Sequence, residues 1–172
     1  MGIYREERTG AFLKLVASDN GIYGQSTGPN QLLKPVNNTT LLMGSQLLKF
    51  SSAGSKKALL ISNFGDTAFY TGIDSAKLDS EMVKEYTGVY TSDEIEGKLI
   101  IVNKKDKLFI KLKPDVELAF LPLYRDGFYF RFQNQSTGMT YFVNFERDMK
   151  QKITGFAVNE LRARKVSYFR NK

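Results

Sequence analysis

The chain has 172 residues, of which 42% are hydrophobic and 25% charged, enough to bury one ordinary core or two small ones and too apolar for a disordered chain. It contains no cysteine and no histidine, which excludes disulfides, thiolate metal sites, a Cys nucleophile, a Ser-His-Asp triad and any His-based zinc centre. The net charge of +7 would suit an anionic partner. Bases and acids are nevertheless interspersed, as in Lys104-Lys105-Asp106-Lys107 and Glu146-Arg147-Asp148, and only the end is one-sided, with Arg162, Arg164, Lys165, Arg170 and Lys172.

No window approaches the roughly 18 apolar residues of a membrane-spanning helix, and Met1–Arg8 lacks the apolar stretch of a signal peptide, so no transmembrane segment is expected. Self-similarity is the strongest signal in the chain. Gly2-Ile3-Tyr4 and Gly10-Ala11-Phe12-Leu13-Lys14-Leu15 return as Gly88-Val89-Tyr90 and Gly97-Lys98-Leu99-Ile100-Ile101-Val102. Leu32-Leu33-Lys34-Pro35 with Leu41-Leu42-Met43 returns as Ala119-Phe120-Leu121-Pro122 with Phe128-Tyr129-Phe130, and Leu47-Leu48-Lys49-Phe50 as Phe142-Val143-Asn144-Phe145. The repeat defines a first barrel-forming copy over about 1–76, a linker over 77–84 and a second copy over 85–172.

Short apolar or alternating runs bounded by Gly, Asn, Asp and Ser predict an all-β meander in each copy. In the second copy the predicted strands are Tyr86–Tyr90, Lys98–Asn103, Lys107–Leu112, Val116–Leu121, Gly127–Gln133, Met139–Glu146, Lys152–Asn159 and Ala163–Phe169. Period two puts Leu108, Ile110 and Leu112 on one face of their strand, and Phe128, Phe130 and Phe132 on one face of theirs, with Tyr129 and Arg131 opposite. Between the copies, Asp79 or Ser80 is a plausible N-cap for one helical turn. The fold class is therefore two tandem lipocalin-like antiparallel barrels of about eight strands each, joined by a short helical linker. Eight short strands with many inward Phe predict a filled interior.

Gly21-Ile22-Tyr23-Gly24-Gln25-Ser26-Thr27-Gly28 is rich in glycine but lacks the Gly-Lys-Ser/Thr ending and helix of a phosphate-binding loop. It reads as a pair of hairpin turns, as does Gly54-Ser55-Lys56-Lys57. Glu6 and Glu7, and Asp93, Glu94 and Glu96, could be imagined as paired acids or a calcium site, but the solvated-loop reading is simpler. No metal, cofactor or catalytic residue is expected. Tyr124, Tyr129, Arg131 and Tyr141, with Arg162 and Arg164, form the candidate ligand or partner surface, an aromatic and cationic strip able to stack bases or hold an anion. Decoration of an outer sheet face explains the same residues. Without an RNP-like motif, no specific nucleic acid is expected.

Three segments carry a resemblance: Tyr86-Thr87-Gly88-Val89-Tyr90; Leu121-Pro122-Leu123 with Asp126-Gly127-Phe128-Tyr129-Phe130; and Val143-Asn144-Phe145-Glu146-Arg147-Asp148 with Ile153-Thr154-Gly155-Phe156. Through them Leu78–Lys172 resembles the lipocalin-like domain of unknown function that follows the catalytic domain in many bacterial serine hydrolases of the β-lactamase, penicillin-binding-protein and D-aminopeptidase type. The first copy matches less well, with Asn38-Thr39-Thr40-Leu41 in place of the Asp-Gly-Phe element.

The resemblance implies a non-catalytic accessory pair, excised from a longer polypeptide, that packs on a preceding serine-hydrolase domain and shapes access to its active site in a bacterial cell envelope. That family's Ser-x-x-Lys and Tyr-x-Asn motifs are absent from this chain. The alternatives are a lipocalin-like binder of a small apolar ligand, marked by an interior void of roughly 300 Å3 or more, and a module for anionic cell-wall polymers.

Overall fold

Alternation along each run gives strands with one apolar face, and a sheet of such strands buries that face by closing on itself. In the computed structural model, which describes residues 2–26, 28–53, 56–75, 78–134, 137–160 and 165–171, the chain divides into units Met1–Ser75 and Ala76–Lys172. Each unit contains a closed eight-stranded antiparallel barrel.

The first barrel runs through β1 (Gly2–Glu6), β2 (Phe12–Ser18), β3 (Gly21–Gln25), β4 (Gln31–Asn37), β5 (Thr40–Met43), β6 (Gln46–Ala53), β7 (Lys56–Asn63) and β8 (Asp66–Ile73). Consecutive strands pair, and β1 closes on β8 with Ile3 opposite Ile73 and Glu6 opposite Tyr70. Tyr4, Leu13, Leu15, Leu48 and Leu59 are among the residues that fill it. The glycine-rich stretch is strand β3 with a turn at each end. Gly24 stands mid-strand because a Cβ there would press on the Met43 sulfur and Leu13. Of the second turn, Thr27 lies outside the described residues, as do Gly54 and Ser55 of the other predicted turn.

Helix α1 (Ser80–Tyr86) follows, capped by Asp79, whose Oδ1 accepts from the Met82 amide at 2.8 Å. It is longer than one turn and takes Tyr86 away from the strand predicted to begin there. The helix buries Val83 and Tyr86 in the core of the second unit, and this apolar anchorage carries the last turn past the predicted linker.

The second barrel consists of β9 (Gly88–Thr91), β10 (Lys98–Lys104), β11 (Lys107–Lys113), β12 (Val116–Tyr124), β13 (Gly127–Asn134), β14 (Thr137–Arg147), β15 (Ile153–Asn159) and β16 (Val166–Arg170). It closes where Phe169 and Arg170 of β16 face Thr91 and Tyr90 of β9. The registers place Phe128 opposite Val143, Phe130 opposite Tyr141 and Phe145 opposite Phe156, so these residues share the inner face. Gly155 has no room for a side chain, since a Cβ there would collide with the backbone carbonyl of Tyr168.

Candidate functional site

The two ends of the second barrel differ. At the end where β9 begins, aromatic rings fill the interior: Phe120 stacks on Phe128 with centroids 4.7 Å apart, and Phe145 packs edge-on against Phe128, Phe156 and Tyr90. Tyr86 of α1 enters this group at 4.7 Å from Phe128. Tyr90 donates its hydroxyl to the Tyr86 carbonyl at 2.9 Å, and burial pushes that hydroxyl's pKa up to about 12.

An ion pair closes this end. The Arg147 guanidinium donates from Nε to both Asp126 oxygens at 3.0 Å and from Nη2 to Oδ1 at 2.8 Å. Its Nη1 reaches the Gln151 carbonyl at 2.6 Å and Glu85 of α1 at 2.8 Å. The Tyr86 hydroxyl donates to Asp126 at 2.9 Å, and the guanidinium lies 5.8 Å from the Tyr86 ring centroid. The Asp126 bonds hold the Arg147 pKa above its ordinary value, while burial and the Asp126 charge raise that of Tyr86. Tyr86, Asp126 and Arg147 come from three segments far apart in sequence, and together they clasp the helix to the barrel floor.

The opposite end is open. Here the inner face carries Leu99 from β10, Leu112 from β11, and Phe130 and Phe132 from β13. Tyr141 of β14, Val158 of β15, and Val166 and Tyr168 of β16 complete the wall, with Ile95 of the β9–β10 loop and Glu160 at the rim. They enclose about 330 Å3, within the size range of small-molecule pockets. The filled interior expected from the inward Phe residues holds at the helix end only. Towards the mouth the Phe130 ring stacks flat against Tyr141, with centroids 4.9 Å apart and planes at 10°, and the space beyond this pair stays unfilled. Burial and the Glu94 charge raise the Tyr168 hydroxyl above its ordinary pKa.

The candidate surface residues do not gather in one place. Tyr141 faces inward and lines the pocket, whereas Tyr129 and Arg131 lie on the other face of their strand, opposite Phe142 and Thr140. Tyr124 is buried at the helix end, its hydroxyl donating to Asn144 Oδ1. Arg162 and Arg164, with the intervening Ala163, lie outside the described residues. Arg170 of the basic end is engaged internally, donating to the Thr87 carbonyl at 2.6 Å.

Among the acids, Glu94 accepts from the Ser167 amide at 2.9 Å. Glu6 is not solvated but 5% exposed; the Thr9 amide at 2.7 Å, the Thr9 hydroxyl at 2.6 Å and Arg8 Nε at 2.9 Å satisfy its carboxylate. Burial would push its pKa up, but these bonds outweigh that and hold it below the ordinary carboxyl value. No group of three or more metal-ligating side chains occurs among the described residues, and no helix among them is long and apolar enough to cross a membrane. The first unit has an open cleft of about 440 Å3 lined by residues of β1, β2 and the end of β8, with Asp74 and Ser75; none of its described lining residues is aromatic.

The fold and site define a barrel with a clasped floor and an apolar mouth. Residues 74–168 match the family described as a domain of unknown function (DUF3471), and the chain belongs to that family. The match takes in helix α1 and the second barrel and leaves the first barrel out. No curated protein matches the chain. A solved structure described as the crystal structure of SurE with D-Leu is similar, with a TM-score of 0.40 and 10% identity over 86% of this chain and 39% of that one. The chain thus spans about two fifths of that protein's length.

Proposed function

We propose that the chain is a ligand-binding module without catalytic chemistry of its own, and that the open end of its second barrel takes up a small apolar molecule. The carrying observation is the cavity of about 330 Å3, walled by Leu99, Leu112, Phe130, Phe132 and Tyr141 in a barrel whose other end is packed solid. An apolar void of this size with few polar groups is the usual form of a small-molecule site. Had the barrel served only as a rigid accessory, the same Phe residues could have filled it throughout.

Titration of the full chain with a neutral apolar fluorophore, followed by amide chemical shifts, tests this. The proposal predicts saturable binding of one probe, with shifts concentrated at Leu99, Leu112, Tyr141 and Val158. Shifts confined to the helix end, or none, would count against it.

A second reading rests on the resemblance of Leu78–Lys172 to domains appended to serine hydrolases, whose carrying segments supply all three clasp residues. On that reading the barrels pack against a hydrolase domain and modulate access to its active site. A Ser-x-x-Lys-containing domain encoded directly upstream would support it, and the two readings are compatible.

A further inference from the structure

The aromatic packing of the second barrel breaks off towards its mouth. At the helix end the rings enclose one another: Phe145 meets Phe128 and Phe156 edge-on, and Tyr86 covers Phe128 with centroids 4.7 Å apart. Nearer the mouth the enclosure stops. Tyr141 stacks on Phe130 with planes at 10°, and Tyr168 on Phe156 with centroids 5.1 Å apart and planes at 24°. Among the described residues neither tyrosine has a second ring neighbour. Phe132, the next inward residue of β13 after Phe130, has no ring neighbour among them and is 36% exposed. Phe130, Phe132, Tyr141 and Tyr168 all line the cavity of about 330 Å3, so the void lies against the rings whose aromatic packing is incomplete. Leu99, Leu112, Val158 and Val166 supply the aliphatic part of the wall, which carries no preference of its own for a ring.

Resting on the ligand-binding reading above, we propose that the pocket selects flat aromatic molecules of one or two fused rings over saturated molecules of the same outline. The guest ring stands among Phe132, Tyr141 and Tyr168, where the barrel's own rings leave off. Rings gain from offset-stacked or edge-on contact with one another beyond what burial of their area supplies. A volume at the lower end of small-molecule pockets sets the limit of two rings. Hydrophobic transfer alone gives the opposite order, because a saturated bicycle carries more apolar surface than its aromatic counterpart. The sign of the preference therefore separates ring contacts from simple burial.

Two neutral probes with the same head group, naphthylmethanol and decahydronaphthylmethanol, titrated into the full chain, test this. Naphthylmethanol should bind roughly three- to tenfold more tightly, the range that one or two aromatic contacts supply. Its ring current should also displace the methyl signals of Leu112 and Val158 further than the saturated probe does. Phe132→Leu and Tyr141→Leu keep the wall apolar and remove one ring each. Each should lower the preference, and the double substitution should reduce it to about twofold or less.

Equal or tighter binding of decahydronaphthylmethanol, or a preference that the double substitution leaves intact, would overturn the inference and leave the apolar pocket standing. Binding of neither probe would overturn the pocket reading and the inference together. The comparison in the unsubstituted chain decides the sign of the preference even if a variant fails to fold.

Discussion

Arg147 holds Asp126 with three hydrogen bonds of 2.8 to 3.0 Å while only 9% of its side chain is exposed. Asp126 sits at a positive φ of 65° in the β12–β13 turn, and its carbonyl accepts from the Phe145 amide at 2.8 Å. In the first barrel the Phe50 amide donates in the same way to the Thr39 carbonyl at 2.8 Å. Thr39 thus stands where the second copy has its carboxylate, and among the described residues the first barrel has no counterpart of the ion pair at that turn. The partner position differs too, since the sequence has Ser52 two residues after Phe50 where it has Arg147 two residues after Phe145.

The clasp predicts an order of stabilities. Asp126→Ala leaves a largely buried guanidinium with Glu85 and the Gln151 carbonyl only, and should cost about 2–3 kcal/mol, somewhat less than a fully buried pair because Asp126 retains some solvent contact. Glu85→Ala removes an exposed partner and should cost less than about 1 kcal/mol. Urea unfolding followed on amides of the second barrel measures both.

Gly155→Ala should destabilise the second barrel by more than about 1 kcal/mol, because the added methyl meets the Tyr168 backbone, which cannot swing aside as a side chain can. Gly138→Ala meets only the end of the Arg131 side chain at 3.4 Å and should change stability by less than about 0.5 kcal/mol. Thermal unfolding of the two variants side by side gives the comparison.

Phe130→Ala should cost about 3 kcal/mol, the lower end for a buried Phe, since its ring already borders a void and loses fewer contacts. Tyr129→Ala, on the other face of the strand, should cost less. A reversed order in denaturant titration would mean that the β13 register is inverted.

Glu6 gives the first barrel a pH dependence of known sign. Its native pKa lies below the ordinary value of 4.5, so its contribution is present above that value and is lost as pH falls through the lowered native pKa. Between about pH 6 and 3, the native chain should lose stability in β1 and β2 more steeply than Glu6→Gln. Amide signals of Tyr4 and Leu13 during acid titration report it.

Period two and the repeat make most strands of the second barrel legible, because inward and outward residues alternate and most turns carry Gly, Asn or Asp; in the first barrel Gly21–Gln25, whose glycines read as turn residues, is strand β3. The Asp79 cap is legible for the same local reason. The clasp is not, since Tyr86, Asp126 and Arg147 meet only once the barrel has closed, and each alone reads as a motif residue without a partner. The full length of α1 was hidden too: Tyr86 reads as the first strand residue until its ring is seen to need the core. The pocket is hidden most deeply. Phe128, Phe130 and Phe132 form one uniform inward stripe in sequence, and only the stagger of the closing strands and the helix below decide that Phe128 is packed and Phe132 lines a void.

The most direct test of the pocket fills it. Leu112→Trp places a bulky ring in the space beside Phe130 and Tyr141, and the void should absorb it with the fold intact, as judged by far-UV circular dichroism and an unfolding temperature no lower than that of the native chain. The expected result is that saturable binding of a neutral apolar fluorophore by the native chain disappears in Leu112→Trp. Unchanged binding in a folded Leu112→Trp chain would contradict the assignment of the ligand site to the mouth of the second barrel.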